Sequence, residues 1–266
     1  MLITRVLTAL VLLPLMLFAL FGLGPQAWAG FSWLIVVLAL WEFTRMTGID
    51  GPLHWGYLVV STAVAGFLYL QHGTAPLWLH GIALLFWLVA APMWLKRQWK
   101  GHKPELSMLV GWVLALPAWF GFLEWRPTSA SGLILLAIMG LVWVADIAAY
   151  FAGRTFGRRK LAPAISPGKS WEGVAGAVVA VMAYTVLVHQ LGWFPHPVPL
   201  YVLLPLAVVL TAVSIVGDLM ESWFKRVAGI KDSSHLLPGH GGVYDRIDSL
   251  VAVLAVSNAL RVLGSL

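Results

Sequence analysis

Long apolar runs separated by short polar intervals dominate the sequence. A membrane-spanning helix needs about 20 consecutive apolar residues, and nine stretches approach that length. They cover residues 3–22, 28–44, 56–71, 76–95, 106–123, 131–151, 173–191, 199–219 and 247–264. Several contain proline, which a spanning helix tolerates when neighbouring groups satisfy the freed carbonyl. The pattern predicts an all-α, polytopic integral membrane protein with about nine transmembrane helices.

Basic residues fall in alternate intervals between these stretches. With a cytoplasmic N-terminus, 15 of the 17 lysine and arginine residues lie on the cytoplasmic side, and only Arg126 and Arg261 lie outside. Lys and Arg accumulate in cytoplasmic loops, so we predict a cytoplasmic N-terminus and an external C-terminus. The expected location is the inner cell membrane. Ala27-Trp28-Ala29 has the form of a signal-peptide cleavage site. The long first stretch favours an uncleaved helix over that alternative.

The polar intervals divide the chain into two regions. Residues 1–125 hold about five spans, and residues 126–266 hold about four spans with two long polar intervals at 152–172 and 220–246. Both intervals are assigned to the cytoplasm. We therefore expect the C-terminal region to be catalytic, with any chemistry on a soluble substrate taking place at these intervals.

Composition narrows the class of protein further. Hydrophobic residues make up 60% of the chain and charged residues only 11%, with a mean hydropathy of +0.87, whereas soluble domains carry about 25% charged residues. Cysteine is absent, which excludes disulfides and thiolate metal sites. The net charge of +6 lies in short clusters between apolar runs. That pattern is typical of membrane loops that face anionic lipid. We do not expect nucleic acid as a partner.

Acidic residues are concentrated near the end of the eighth stretch. Five of the eleven lie within about thirty residues, at Asp218, Glu221, Asp232, Asp245 and Asp248. A solvated loop would explain them, but helical spacing places positions 218, 221, 222 and 225 on one face. A lone carboxylate at membrane depth costs about 3 kcal/mol and usually marks a functional site, so we single out Asp218.

A glycine-rich segment precedes the last apolar stretch. His240, Gly241 and Gly242 lead into Asp245 and Asp248, which share one face of a helical first turn. Glycines let backbone amides approach a phosphate closely, and a helix N-terminus presents free N–H groups to it. A single aspartate at this position could instead only cap the helix that follows. Oxygen ligands beside phosphate, without cysteine, indicate Mg²⁺.

A third segment, residues 166–173 (SPGKSWEG), contains Gly-Lys-Ser without forming a P-loop. Pro163 stands where that motif needs its first glycine, and no strand is predicted before it. The segment reads as a helix start with Ser and Pro in capping positions and Lys169 near exposed amides. Phosphate binding and simple capping both remain open. Upstream, Asp146, Tyr150 and Gly153 share one helical face, and Asp146 lies at membrane depth.

Four short motifs lie in and around the polar interval 220–246: residues 222–226 (SWFKR), 231–232 (KD), 238–242 (PGHGG) and 245–248 (DRID). Together they resemble the signature of the phosphatidate cytidylyltransferases, also called CDP-diacylglycerol synthases. Residues 146–154 and 166–173 agree as well, whereas the N-terminal half resembles the family only as membrane helices. Tyr244 stands where many relatives carry an apolar residue.

The resemblance implies that CTP and phosphatidic acid are converted to CDP-diacylglycerol and pyrophosphate in a polar cavity open to the cytoplasm and the inner leaflet. It implies that Asp218 and Asp245 bind Mg²⁺, and it leaves a second cation open. The expected catalytic residues are Asp218, Asp245, Asp248, Lys225 and Arg246. The expected substrate-binding residues are Asp146, Tyr150, Ser166, Lys169, Ser170, Glu172, Glu221, Ser222, Arg226, Lys231, Asp232, His240, Gly241 and Gly242.

Two other functions fit the membrane architecture. A CTP-dependent lipid-alcohol kinase would transfer the γ-phosphoryl group and release CDP. An ion-coupled transporter would line an ion path with its intramembrane acids, although transporters often have repeated halves and here the acids cluster toward one face. Membrane lipids are expected partners in each case, and the sequence leaves a homodimer open.

Overall fold

Ten α-helices make up most of the described chain. The structure is a computed structural model that describes residues 2–100, 103–194 and 198–264. The helices are α1 (Leu2–Gly22), α2 (Pro25–Met46), α3 (Gly51–His72), α4 (Leu77–Leu85), α5 (Ala91–Arg97), α6 (Pro104–Glu124), α7 (Gly132–Phe156), α8 (Trp171–Gln190), α9 (Leu200–Val227) and α10 (Tyr244–Gly264). A π-helical turn, Phe86–Ala90, joins α4 and α5 into one apolar segment. Nine helical segments therefore match the nine apolar stretches.

Hydropathy and length identify the membrane spans. Within the described ranges, eight segments are long and apolar enough to cross a membrane, and α1 is apolar over the shorter Val6–Gly22. Pro14, Pro117 and Pro205 lie inside intact helices, while the π-helical turn directly precedes the helix that contains Pro92. The prediction of an all-α polytopic membrane protein is confirmed.

Helix α10 lies at the centre of the bundle. It contacts α2, α4, α6, α7 and α9, and its residues 249–259 are all buried. Outer helices instead expose large apolar side chains such as Phe18, Val59 and Leu70, as expected for surfaces that face lipid rather than water. Helix α10 thus packs on helices from both sides of residue 125, and the division of the chain at that residue stays a prediction.

A short β-hairpin, which the all-α prediction did not include, connects α7 to α8. Strand β1 (Lys160–Ala162) pairs antiparallel with β2 (Ser166–Ser170). The predicted helix start is present at Trp171, and Ser170 caps it by accepting a hydrogen bond from Gly173 N at 3.2 Å. Pro167 lies in β2 rather than in a capping position, because this backbone pairs with β1.

Small residues let α7 and α8 approach closely. A Cβ added at Gly173 would lie 2.9 Å from the Ala149 carbonyl oxygen, and one at Gly176 would overlap the Ala152 side chain. Glycine at such positions is typical of tightly packed membrane helices. This contact holds the hairpin beside the end of α7.

Arg126 is buried, although the sequence suggested only a loop position outside the membrane. Its Nε donates to the Leu20 carbonyl at 2.7 Å and its Nη2 to the Leu23 carbonyl at 2.5 Å. A cation at a helix C-terminus complements the helix dipole, and burial lowers the pKa of this guanidinium. Arg126 therefore fixes the end of α1 against the loop after α6.

Candidate active site

A cavity of about 910 Å³ lies where α7 and α9 end and where α8 and α10 begin. Among the described residues, six acidic and seven basic side chains line it. The acidic residues are Asp146, Asp218, Glu221, Asp232, Asp245 and Asp248. The basic residues are Arg154, Lys160, Lys169, Lys225, Arg226, Lys231 and Arg246. More than half of the chain's eleven acidic residues thus face one cavity.

One face of α9 forms a wall of this cavity. Asp218, Glu221, Ser222 and Lys225 all line it, as their spacing of three and four residues predicts. Ser222 Oγ donates to Asp218 Oδ1 at 3.2 Å. The eighth predicted stretch ended at residue 219, but the helix continues to Val227, so this face is one rigid surface.

Lys225 forms ion pairs with two carboxylates. Its Nζ lies 2.5 Å from Glu221 Oε2 and 2.6 Å from Asp245 Oδ1. The lysine side chain is 12% exposed, and those of Glu221 and Asp245 are 1% and 3% exposed. The other oxygen, Glu221 Oε1, is buried and has no hydrogen-bond partner among the described residues.

Asp245 is held rigidly at the first turn of α10. Its Oδ2 accepts hydrogen bonds from Ser233 N at 2.9 Å, Ser233 Oγ at 2.9 Å and Gly242 N at 2.8 Å. Gly241 adopts a φ of +84°, and a Cβ there would lie 2.6 Å from Asp245 Oδ2. Glycine is therefore required at 241 for both backbone conformation and space.

Three amides of the glycine-rich turn bind protein carboxylates instead of facing the cavity as the sequence suggested. Gly242 N is bonded to Asp245, and Val243 N and Tyr244 N donate to Glu42 at 2.9 and 2.6 Å. Protein carboxylates thus occupy these amides in place of a phosphate. His240, Gly241 and Gly242 are not among the described residues that line the cavity.

The hairpin and α7 form the opposite wall. Lys169 Nζ lies 2.6 Å from Asp218 Oδ2, and Arg226 Nε donates to the Ile165 carbonyl at 3.2 Å, so α9 is tied to the hairpin twice. Ser166 and Ser170 also line the cavity.

Asp146 and Tyr150 face the cavity from α7. Arg154 Nη1 donates to the Tyr150 hydroxyl at 2.8 Å. Glu172 lies apart from this lining, where it accepts hydrogen bonds from Arg158 N at 3.0 Å and Arg159 N at 3.2 Å. These two hydrogen bonds stabilise the turn before β1.

The remaining predicted residues come from the loop before α10 and from its first turns. Lys231, Asp232, Arg246 and Asp248 line the cavity, and Asp248 Oδ1 accepts from Ser249 N at 2.7 Å. Five basic residues that the resemblance assigns to catalysis or substrate binding therefore share one cavity: Lys169, Lys225, Arg226, Lys231 and Arg246. The arrangement can bind more than one phosphate group.

Sequence reasoning missed Glu42 and Ser233. Glu42 lies in α2 and is 0% exposed, yet it contacts the loop that holds Asp245. A signal was present, because Glu42 is the one acidic residue inside the apolar stretch 28–44, and an intramembrane carboxylate indicates a special role. Ser233 gave no comparable signal, since serine is common in polar loops.

The oxygen donors of this cavity fit a hard cation, although the described residues contain no cluster of three or more His, Cys, Asp or Glu side chains arranged to hold a metal. Mg²⁺ is commonly held by one or two carboxylates plus substrate phosphates. Asp218 faces the cavity with a 30% exposed side chain, and the unsatisfied Glu221 Oε1 stands one turn away. Asp245 has both oxygens engaged, so as a ligand it would exchange Lys225 for the cation.

Residues 3–263 match the sequence model of the cytidylyltransferase family. A phosphatidate cytidylyltransferase of Pseudomonas aeruginosa is 44% identical over 264 residues, covering 96% of this chain and 95% of that protein. The protein of the same name in Haemophilus influenzae is 37% identical, covering 94% and 95%. That of Staphylococcus haemolyticus is 31% identical, covering 97% of each. The similarity extends over both halves, including the N-terminal helices.

Proposed function

The chain belongs to the cytidylyltransferase family, and on that premise we propose that it is a phosphatidate cytidylyltransferase of phospholipid biosynthesis. It joins CTP to phosphatidic acid and yields CDP-diacylglycerol and pyrophosphate. The observation that carries the proposal is the 910 Å³ cavity with seven basic side chains at one end of a membrane bundle. A triphosphate and a lipid phosphate need this density of cations side by side.

The chemistry is a displacement at phosphorus. A phosphate oxygen of phosphatidic acid forms a bond to the α-phosphorus of CTP, the α–β phosphoanhydride bond breaks, and the electron pair leaves with pyrophosphate. A phosphomonoester is already ionised near neutral pH, so the attacking oxygen does not require a strong general base. Alignment of the two substrates and stabilisation of the leaving charge therefore account for most of the rate.

Basic side chains from three elements perform that alignment. Lys169 reaches the cavity from the hairpin, Lys225 and Arg226 from α9, and Arg246 from α10. We assign the triphosphate and the lipid phosphate to this group together with Lys231. Ser166, Ser170, Ser222, Tyr150, Asp146 and Asp232 complete the proposed substrate contacts. Glu172, His240, Gly241 and Gly242 stay predictions that the cavity geometry does not favour.

Mg²⁺ belongs to the proposal, with Asp218 and Asp245 as ligands, Asp248 close by and a second cation left open. Bound there, it would neutralise triphosphate charge and favour departure of pyrophosphate. Lys169 and Lys225 pair with these same carboxylates. A cation on the carboxylates would leave both ammonium groups available to phosphate oxygens.

The proposal places the cavity on the cytoplasmic side of the inner membrane, where CTP is made. The alternation of basic residues supports this side, and so does the meeting of both long polar intervals at one end of the bundle. A homodimer is also consistent with the exposed apolar helices, which can contact lipid or a second copy. Light scattering of the detergent-solubilised protein tests that assembly.

One assay tests the function directly. Purified protein in detergent receives phosphatidic acid, labelled CTP and Mg²⁺, and both products are identified. We expect labelled CDP-diacylglycerol and an equal amount of pyrophosphate. If diacylglycerol replaces phosphatidic acid as acceptor and CDP appears without pyrophosphate, the protein is a CTP-dependent lipid-alcohol kinase rather than a cytidylyltransferase. If no CTP is consumed, the enzyme assignment fails and the transporter becomes the hypothesis to pursue.

A further inference from the structure

A buried carboxylate from the N-terminal half reaches the loop that holds the site. Glu42 lies near the end of α2 and is completely buried. Burying an ionised carboxylate is costly unless several donors satisfy it. Its hydrogen bonds in the described structure all come from residues 233–244 rather than from neighbouring spans.

Both oxygens of Glu42 are saturated by this loop. Oε1 accepts from Ser234 Oγ at 2.5 Å and from Val243 N at 2.9 Å. Oε2 accepts from Ser233 Oγ at 2.9 Å and from Tyr244 N at 2.6 Å. Val243 N and Tyr244 N are amides at the start of α10, which have no partner within the helix. Glu42 therefore caps α10 from another helix, at the end where negative charge is favoured.

This cap is linked directly to Asp245. Ser233 Oγ lies 2.9 Å from both Glu42 Oε2 and Asp245 Oδ2, so one hydroxyl hydrogen is placed between two carboxylates. A Cβ on Gly242 would overlap Ser233 Oγ and Glu42 Oε1. The glycine at 242 is thus explained by the close approach of Glu42, and any movement of Glu42 changes the surroundings of Asp245.

We propose that Glu42 is a positioning residue for the reaction: it fixes residues 233–244 so that Asp245 and Arg246 face the cavity in the productive orientation. This inference rests on the proposed function. Glu42 is fully buried and is not among the residues that line the cavity, so it is not expected to contact either substrate. Partners that orient a ligating or catalytic group typically contribute about 10- to 100-fold in activity.

The test replaces Glu42 with glutamine. The amide keeps one acceptor oxygen, and its NH₂ group faces one serine hydroxyl and one backbone N–H. The hydroxyl can turn to accept from the NH₂ group, but the backbone N–H, either Val243 N or Tyr244 N, loses its acceptor. We expect Glu42→Gln to lower kcat by about 10- to 100-fold at saturating CTP and phosphatidic acid, with little change in KM for CTP. Hydrogen exchange, measured by mass spectrometry, should rise in the peptide that contains residues 242–244.

Glu124→Gln is the matched control. Glu124 is also a buried carboxylate of a spanning helix, with a side chain that is 6% exposed. Its Oε1 accepts from Ala75 N at 2.7 Å and its Oε2 lies 3.1 Å from Arg261 Nη2. It does not line the proposed active-site cavity. This variant should change stability without the selective loss of kcat. In the double variant Glu42→Gln/Ser234→Ala, the losses should be less than additive, because both changes act on the same hydrogen-bonded contact.

Two results would overturn the inference. One is a Glu42→Gln enzyme with kcat within about twofold of wild type and unchanged exchange at residues 242–244. The other is a rise in exchange throughout the helices with equal loss of activity in Glu124→Gln, which would assign Glu42 to general stability. Failure of the wild-type protein to make CDP-diacylglycerol would instead remove the proposed function, while the exchange measurement would still report whether Glu42 fixes the loop.

Discussion

Replacing Lys225 with methionine should destabilise the protein as well as impair turnover. Methionine keeps a similar unbranched stem but removes the ammonium that lies within 2.6 Å of both Glu221 and Asp245. All three side chains are at most 12% exposed. The variant therefore leaves two nearby carboxylates without their shared counter-charge in a place that water reaches poorly.

The magnitude follows from burial. Removing one partner of a buried ion pair costs about 3–5 kcal/mol, because it leaves an uncompensated charge. Asp245 retains its bonds from Ser233 and Gly242, whereas Glu221 retains no described hydrogen bond on Oε1. Most of the loss should therefore come from Glu221, and Lys225→Met/Glu221→Gln should be more stable than Lys225→Met by more than about 1 kcal/mol.

Thermal unfolding in one detergent, followed through the 15 tryptophans, measures the order of stability. Lys96→Met is the control, since Lys96 is exposed in the last turn of α5 and such surface changes stay within about 0.5 kcal/mol. If Lys225→Met unfolds together with this control, or if Glu221→Gln gives no recovery, the ion triad does not stabilise the fold as the geometry indicates.

Three further outcomes are expected from the same structure. Asp218→Asn should lower turnover by orders of magnitude while unfolding like wild type, and near-normal rates across Mg²⁺ concentrations would remove Asp218 as a ligand. Gly242→Ala should lower both stability and turnover, because overpacking costs about 1–3 kcal/mol. Gly66→Ala is the control and should be neutral, because a Cβ at residue 66 would meet open space; equal stability of the two variants would contradict the packing argument. In this cysteine-free chain, cysteine at Ala164 should react only with cytoplasmic reagents and cysteine at Thr74 only with external ones, and the reverse would invert the topology.

Local pattern was enough for much of the site. Asp218, Glu221 and Lys225 share a face because a helix repeats every 3.6 residues, and that periodicity is visible in the sequence. The resemblance implied a polar cavity, and residues of the segments 222–226, 231–232 and 245–248 do line one cavity. The pairing of side chains inside it, such as Lys169 with Asp218, was not predicted, because residues 49 positions apart in sequence meet only when α7, α8 and α9 pack.

The sequence by itself determined the membrane class, the nine helical segments and the end of the bundle where polar chemistry belongs, because bilayer thickness and hydropathy act on each segment separately. Only the tertiary structure decided that the amides of the glycine-rich turn bind Glu42 and Asp245 instead of facing the cavity. It also placed the β-hairpin, which had no apolar periodicity, and buried Arg126 against the end of α1. The contacts of Glu42 with Val243 and of Arg126 with Leu20 join residues 201 and 106 positions apart in sequence, and such pairings follow from packing rather than from any local pattern.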